Sequence, residues 1–216
     1  MNHTLPMPQK LVDFCESCAS GLSERTEPEG CIAFISRLLP GIVSDKRLFR
    51  EILEGIVRGD KYLDLRYATM FDSEVILYRD PAGLFSIRMF LRGPGEYDPI
   101  HDHNSWGVIS PVQGELEVVN YLREDDGSKQ DYAQLAETGR RILRPGETTW
   151  VCGSESIHKT GNPTQQTNIQ ISLYGRSQAR RNDINGFDEV TGLVYPIYAP
   201  KIRKQRLALQ ALAEIG

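Results

Sequence analysis

His101 and His103 are separated by one residue in the strand-like stretch PIHDHNSWG, and the chain has only two other histidines, His3 and His158. Side chains alternate between the faces of a strand, so His101 and His103 project to the same side and can bind one ion together. His158 lies well downstream in a second strand-like stretch, SESIHKTGN, which only a folded sheet could bring to the first pair. Three imidazoles with open coordination positions suit a catalytic zinc or iron site, whereas a closed structural site needs a fourth ligand. The H-x-H pair alone is equally compatible with two incidental polar residues.

Cys15 and Cys18 form a C-x-x-C pattern, which occurs in redox sites and as one half of zinc sites. No second C-x-x-C is present to complete four zinc ligands, and no thioredoxin-like strand precedes the pattern. We therefore interpret the two cysteines as small apolar residues on a helix face, since cysteine is commonly buried.

The amino-acid composition limits the classes of protein to which this chain can belong. The 216 residues are 40% hydrophobic and 25% charged, which is ordinary for one globular domain with a sizeable core. The net charge of −4 argues against a nucleic-acid partner, because such proteins usually carry a basic footprint. No apolar run approaches the roughly 20 residues of a membrane span, and the stretch MNHTLPMPQK lacks the apolar region of a signal peptide. We expect a cytoplasmic protein with a small-molecule partner and no membrane partner.

The periodicity of apolar residues changes near Ser73. Before it, SDKRLFREILEGIVRGD carries an apolar stripe at helical spacing, with Ser44 or Asp45 as the start cap and Gly59 at the end. After it, stretches such as LFSIRMFLR alternate with period two and are separated by turn residues, which predicts a sandwich or barrel. The tail APKIRKQRLALQALAEIG begins with Pro200 and predicts a terminal amphipathic helix. We expect one structural domain made of a helical segment (1–60), a barrel (61–198) and a C-terminal helix (199–216).

Two segments in sequence order resemble the cupin motifs. GEYDPIHDHNSWGVISPVQG has the glycine, H-x-H and glycine of the first motif, and GRRILRPGETTWVCGSESIHKTGN has the glycine, proline, histidine and asparagine of the second. The resemblance implies an all-β fold, the double-stranded β-helix or jelly-roll barrel, with the N-terminal helices and the C-terminal helix packed outside it. The glutamate that many cupins supply after the H-x-H pair falls on Gly107, so the implied site has three histidines and no carboxylate.

With this all-histidine site, HDHNSWG resembles the thiol dioxygenases, the group of cysteine dioxygenase and 3-mercaptopropionate dioxygenase. The resemblance extends over most of the chain, through LYRDPAGLFSIRMFLRGPGEYDPIHDH, QISLYG and RRNDINGFDEVTGLVYP. It implies a mononuclear Fe(II) on His101, His103 and His158, with a small carboxylate-bearing thiol and O₂ as substrates and a sulfinate as product. Iron is consistent with imidazole ligands and can change oxidation state, which zinc cannot.

The chain departs from this group in the tyrosine-ended relay beside the metal. Aligned on LYG, Tyr174 matches the relay tyrosine, but Ser172 replaces the histidine and Gln170 replaces the serine. We expect Tyr174 and Ser172 to act in an altered relay and Trp106 to form a pocket wall. Tyr174 could instead be a core ring. The missing histidine leaves two alternatives open: a cupin metalloenzyme with a non-thiol substrate, such as a ring-cleaving dioxygenase or an isomerase, and a cupin that binds a metal or ligand without catalysis.

A pocket for an anionic thiol needs a fixed positive charge, and the planar fork of arginine suits a carboxylate. Arg180 and Arg181 follow Tyr174 by six and seven positions, in the segment where the resembled 3-mercaptopropionate dioxygenases carry a carboxylate-binding arginine. We expect one of the two to bind substrate, although a solvated pair on a loop is the alternative. Arg88 is expected to be solvated. The sequence determines neither the thiol nor the oligomeric state.

Overall fold

A computed structural model describes residues 7–59, 69–175 and 184–215 of the chain. Within these ranges, three helices precede the strands: α1 (Gln9–Ser23), α2 (Pro28–Val43) and α3 (Lys46–Arg58). The predicted caps of α3 are confirmed, since the Asp45 side chain accepts hydrogen bonds from the backbone N–H groups of Arg47 and Leu48, both at 3.0 Å. Gly59 ends the helix in the left-handed region at φ 75°.

In the described part of the chain, eleven strands follow, with one short 3₁₀ turn (Gly153–Glu155) among them. They are β1 (Glu74–Arg79), β2 (Phe85–Arg92), β3 (Ile100–His101), β4 (Trp106–Gln113), β5 (Leu116–Arg123), β6 (Leu135–Leu143), β7 (Thr149–Cys152), β8 (Ile157–Gly161), β9 (Asn168–Gly175), β10 (Ile184–Phe187) and β11 (Val194–Ile197). The first sheet has the order β1-β2-β9-β4-β7, and the second has the order β11-β10-β3-β8-β5-β6. All pairings are antiparallel, and the chain passes repeatedly between the two sheets, which fits a jelly-roll. With four helices beside the strands among the described residues, "all-β" is too narrow a description of the fold.

The central strands of the first sheet, β4 and β9, are buried on both faces. Ile169, Ile171 and Leu173 of β9 belong to the core that the N-terminal helices cover. Because strand residues alternate, Gln170 and Ser172 lie on the opposite, interior face between the sheets. A second apolar cluster joins the two sheets inside the barrel, formed by Ile109, Leu116, Val118, Leu143 and Val151. The polar interior residues therefore occupy a different part of the barrel from these aliphatic side chains.

The C-terminal helix α4 (Pro200–Ile215) forms as predicted, but the expected packing on the barrel is wrong for the described residues. Every residue from 200 to 215 is exposed, and a space of about 1270 Å³ lies between the helix and the barrel. The physical reason is the spread of its apolar side chains, since the two-residue spacing of Leu207 and Leu209 puts them on nearly opposite sides. No helix in the described ranges has both the length and the hydropathy to cross a bilayer.

Candidate metal centre

Strand pairing in the second sheet brings the three predicted histidines together. His101 ends β3 and lies directly opposite His158 of β8, so both side chains project from the same face of the sheet. His103 lies two residues after the end of β3, and its side chain points toward the same face of the sheet. The predicted cluster of His101, His103 and His158 is thus present, and all three residues are buried.

The three imidazoles converge closely enough to share one ion. Their ligand atoms all lie within 4.8 Å of one another, and the ring centroids are 4.8 to 4.9 Å apart. The Nε2 atoms of His103 and His158 are 3.0 Å apart. A cation between the rings would replace this direct contact by two metal–nitrogen bonds.

The surroundings keep the imidazole lone pairs available. Nδ1 of His101 lies 2.8 Å from the carbonyl oxygen of Pro99, which selects the tautomer that donates there and leaves Nε2 free to bind a metal. Burial lowers the pKa of each of the three imidazoles. For His103, the neighbouring His158 and His101 lower the pKa further. The rings are neutral at neutral pH, the form in which histidine binds metals.

The donor set contains nitrogen only. Asp102 lies between two of the histidines in the sequence, yet its carboxylate accepts hydrogen bonds from the backbone N–H and the side-chain amide of Asn185, both at 2.6 Å. Within the described ranges, no carboxylate joins the three imidazoles in a metal-binding group. Neutral imidazoles with open positions fit a divalent transition metal such as Fe(II), and they do not fit Mg²⁺ or Ca²⁺, which prefer oxygen.

Tyr174 explains why no glutamate stands at position 107. Gly107 of β4 is paired with Tyr174 of β9, and a Cβ built on Gly107 would lie 2.5 Å from Cδ1 of the tyrosine ring. That distance is far inside van der Waals contact, so the ring occupies the space that a side chain at 107 would need. The ring also stacks on His103, with centroids 5.9 Å apart and an interplanar angle of 24°.

Tyr174 follows Gln170 and Ser172 on the interior face of β9. The Ser172 hydroxyl accepts a hydrogen bond from the Gln170 amide at 2.8 Å. Burial raises the pKa of Tyr174 to about 12, although the nearby Ser172 hydroxyl and the Arg88 charge act in the opposite direction. The phenol is therefore neutral and carries its proton. Of the altered relay, the direct hydrogen bond between Gln170 and Ser172 is present.

Sequence reasoning missed Arg92, which has a side chain only 1% exposed. Its guanidinium pairs with Asp98 and donates to the side-chain oxygen of Gln170 at 2.8 Å. The signal was available, because Arg92 shares the polar face of the LFSIRMFLR strand with Ser86 and Arg88. Strand alternation does not state which face is buried, and in the structure this face lies in the interior.

Arg88 corrects the expectation of a solvated side chain. It lines a cavity of about 480 Å³ together with His101, His103 and Tyr174. Its Nη1 pairs with the buried carboxylate of Glu74, its Nε lies 3.3 Å from the Ser86 hydroxyl, and its guanidinium carbon is 5.7 Å from the Tyr174 ring centroid. The described part of the chain thus places a guanidinium in the same cavity as the histidines.

The structure corrects the predicted role of Trp106 and does not describe Arg180 and Arg181. Trp106 belongs to the core under the helices, where its indole closes over Gly175, and it does not line the cavity. The pocket-wall role is corrected, because Trp106 precedes the inward-facing Gly107 and strand alternation turns it outward. Arg180 and Arg181 lie outside the described residues, so their predicted role stays a prediction.

No protein-family model matches this chain. Among solved structures, it is similar to the cupin-2 domain of an XRE family transcriptional regulator from Enterobacter cloacae, with 19% identity, a TM-score of 0.36, and coverage of 49% of this chain and 99% of that one. A cupin-2 domain protein from Rhodospirillum rubrum has 15% identity and a TM-score of 0.40 over 54% of this chain and 65% of its own. A sugar phosphate isomerase of the cupin superfamily from Silicibacter pomeroyi has 15% identity and a TM-score of 0.38 over 59% and 78%.

At this level of similarity, the activities of these proteins do not transfer to the chain. Its own strand order and interior histidines are the relevant observations. Two antiparallel sheets with three imidazoles between them fit the cupin-like jelly-roll that the two sequence motifs resemble.

Proposed function

We propose that the chain is a mononuclear Fe(II) dioxygenase that oxidises a small, carboxylate-bearing thiol to its sulfinate. The supporting observation is the cavity of about 480 Å³ in which neutral histidine rings, the Tyr174 phenol and the Arg88 guanidinium meet. In the reaction, a thiolate and O₂ combine as RS⁻ + O₂ → RSO₂⁻. Two S–O bonds form, the O–O bond breaks, and sulfur loses the four electrons that the two oxygen atoms gain.

The chain's own residues have distinct roles in this proposal. His101, His103 and His158 hold the metal, which supplies open positions for thiolate and O₂ and a change of oxidation state. The neutral phenol of Tyr174 donates a hydrogen bond into the cavity. Phe71 lies on the rim with its ring centroid 5.1 Å from that of His101, and with Phe90 it forms an apolar wall that excludes water from the reacting sulfur.

Arg88 is a substrate-anchoring candidate in the described cavity. Its Nη1 and Nε are engaged by Glu74 and Ser86, while Nη2 forms no hydrogen bond with the described residues. A carboxylate can accept a charge-assisted hydrogen bond from Nη2 without displacing the buried ion pair. Arg79 lines the same cavity, and Arg180 and Arg181 remain the candidates from the thiol dioxygenase resemblance.

Oxygen uptake by the Fe(II)-loaded protein over a panel of thiols tests the proposal. We expect 3-mercaptopropionate or cysteine to stimulate uptake, with a product that is two oxygen atoms heavier and labelled by ¹⁸O₂. His158→Ala is the control and should abolish both signals. Uptake with catechols or diketones, and none with thiols, would instead establish a non-thiol oxygenase. Metal binding without turnover of any compound would favour the non-catalytic alternative.

A further inference from the structure

We propose that Glu74 and Arg88 together bind the head group of a zwitterionic thiol, with Glu74 accepting from its ammonium group and Arg88 donating to its carboxylate. The inference rests on the proposed function for the thiol and for the Arg88 contact. It narrows the substrate class from thiols with a carboxylate to thiols that carry an ammonium group beside it. The observation that carries it is the Oε2 atom of Glu74, which is buried and has no hydrogen-bond partner in the described part of the chain.

Strand pairing directs the Glu74 side chain toward the cavity. Where β1 pairs with β2, Glu74 lies opposite Phe90 and Ile76 lies opposite Arg88, and all four residues line the cavity of about 480 Å³ beside the histidines. The residue between them, Val75, packs instead against the core under the helices, as strand alternation requires. The Glu74 carboxylate and the Arg88 guanidinium therefore share the cavity side of the sheet.

The position of Glu74 is fixed at the start of β1. Its backbone N–H donates to the carbonyl oxygen of Phe71 at 3.1 Å, and its carbonyl oxygen lies 3.4 Å from the Thr69 hydroxyl. Its side chain is only 1% exposed, whereas that of Arg88 is 25% exposed. The ion pair is thus buried at its acidic end and open at its basic end. A carboxylate held in this way is already oriented for a ligand.

The ion pair between the two residues uses one atom of each. Nη1 of Arg88 donates to Oε1 of Glu74, while Oε2 has no donor and Nη2 forms no hydrogen bond with the described residues. A guanidinium and a carboxylate can form two parallel hydrogen bonds, so a single contact leaves one donor and one acceptor over. A buried charged oxygen without a donor is costly. A donor that arrives with the ligand removes that cost.

The two charges of the pair select a ligand that carries both signs. A carboxylate on Arg88 alone would leave Glu74 Oε2 unsatisfied, and an ammonium on Glu74 alone would meet the positive charge of Arg88. An α-amino acid group has its ammonium and carboxylate on one carbon, so it completes an alternating set of four charges with the pair. Ammonium has three donors and no acceptor, which complements a carboxylate oxygen.

A second metal ion is a poorer occupant of this position. In the described ranges, the histidine cluster is the one group of three or more residues arranged to hold a metal, and Glu74 is not part of it. Glu74 would offer a bare cation one oxygen beside the positive charge of Arg88. The ammonium of a zwitterion brings its own negative charge to that neighbour.

Anaerobic binding to the Fe(II)-loaded protein tests the head-group pattern without turnover. Isothermal titration calorimetry compares L-cysteine, which carries both charged groups, with 3-mercaptopropionate and cysteamine, which carry one each. We expect the Kd of L-cysteine to be about tenfold lower or more, since each analogue leaves one end of the ion pair without its partner. Equal Kd values for the three thiols, or no binding of L-cysteine, would overturn the inference.

Glu74→Gln tests the ammonium contact itself. The amide oxygen can still accept from Arg88, because a guanidinium has donors only, but the NH₂ group then replaces Oε2 and cannot accept from ammonium. We expect the Kd of L-cysteine to rise about tenfold or more and that of 3-mercaptopropionate to stay within about threefold of wild type. Glu51→Gln is the matched control, because Glu51 is exposed on α3. Glu74→Asp withdraws the carboxylate by one methylene group and is a second variant with the same expected direction, should thermal unfolding show that Glu74→Gln is not folded.

The inference and the proposed reaction fail separately. If the Kd values follow the expected pattern in wild type and Glu74→Gln but no thiol stimulates oxygen uptake, the reaction is wrong and the head-group site stands. If wild type oxidises thiols but Glu74→Gln keeps the full preference for L-cysteine, the reaction stands and the inference is overturned. The second result is the one expected if the amine binds the metal instead of Glu74.

Discussion

Gly107 and Tyr174 are paired across β4 and β9, and the two positions compete for the same space inside the barrel. A side chain at 107 would displace the ring that stacks on His103, while the glycine leaves room for it. The glycine that removes a carboxylate ligand therefore also makes room for the phenol, so the two features have the same structural cause. Which of the two groups faces the three histidines is decided by a single residue pair.

Gly107→Ala tests this competition. The new Cβ would lie 2.5 Å from Tyr174 Cδ1 and 2.7 Å from Cε1, so the ring must move. We expect turnover to fall about tenfold through loss of a correctly placed donor, with iron content unchanged because the ligands lie on other segments. Gly41→Ala is the control, since nothing lies within 4 Å of its Cβ position. Equal turnover in the two variants would show that the ring has another place to go.

Arg88→Lys tests the anchor for the substrate carboxylate. Lysine keeps the positive charge beside Glu74 but loses the second edge of the guanidinium fork. We expect KM for 3-mercaptopropionate to rise about tenfold or more, and KM for the uncharged 2-mercaptoethanol to change less than twofold. Steady-state oxygen uptake measures both. Parallel changes for the two thiols would place the carboxylate on another residue, with Arg180 and Arg181 next to be substituted.

At the scale of elements, β9 connects the core to the site. Its residues Ile169, Ile171 and Leu173 pack under the helices, and the alternate residues Gln170 and Ser172 are hydrogen-bonded to each other on the interior face. Helix α1 fixes the outer side of this arrangement with buried side chains at helical spacing, Leu11, Cys15, Cys18 and Leu22. The C-x-x-C pattern is thus part of the hydrophobic core, as its sequence interpretation predicted.

The α1 cysteines give the stability a pH dependence. Burial is the main cause that raises the pKa of Cys15 and of Cys18 to about 12, from an ordinary value of 9.0. Unfolded thiols ionise above pH 9 while the folded ones stay protonated, so the free energy of unfolding falls as the pH rises beyond 9. Urea unfolding between pH 8 and 10 should show this fall, and it should be smaller in Cys15→Ala. Rapid native-state alkylation of both thiols at pH 8 would contradict their burial.

At the scale of the whole molecule, the two sheets differ in role: the first holds most of the apolar core, and the second holds the three clustered histidines. The first sheet is covered by α1, α2 and α3 and contains most of the apolar core. All three histidines belong to β3, β8 and the residues just after β3, in the second sheet. The candidate metal centre thus lies between a well-packed scaffold and a sheet that has fewer apolar partners. A bound ion would link β3 to β8 in the second sheet, where the apolar core is smaller.

Metal loading is therefore expected to stabilise the whole fold. An ion that binds only the folded chain at about 100 times its Kd adds about 2.7 kcal/mol to the free energy of unfolding. Thermal unfolding under anaerobic conditions should show a higher Tm with Fe(II) than with a chelator in wild type, and no difference in His158→Ala. The same increase in both proteins would locate the ion elsewhere.

Local signals in the sequence determined much of this protein. Asp45 and Gly59 delimit α3 because caps act within a few residues, and the H-x-H spacing shares a face because strand alternation is local. The resemblance to the cupin motifs placed His158 with that pair and predicted a two-sheet barrel. These features required no knowledge of distant contacts.

Only the tertiary structure decided which polar residues face the interior. Period two divides a strand into two faces without stating which one is buried, so the sequence predicts a solvated Arg88, gives no role to Arg92 and assigns Trp106 to the cavity. Arg92 and Gln170 are 78 residues apart, and their hydrogen bond exists because the register of β2 on β9 brings them together. Register depends on packing of both sheets at once, as does the exposure of α4. Partnerships of this kind are properties of the assembled sheets and cannot be derived from any one segment.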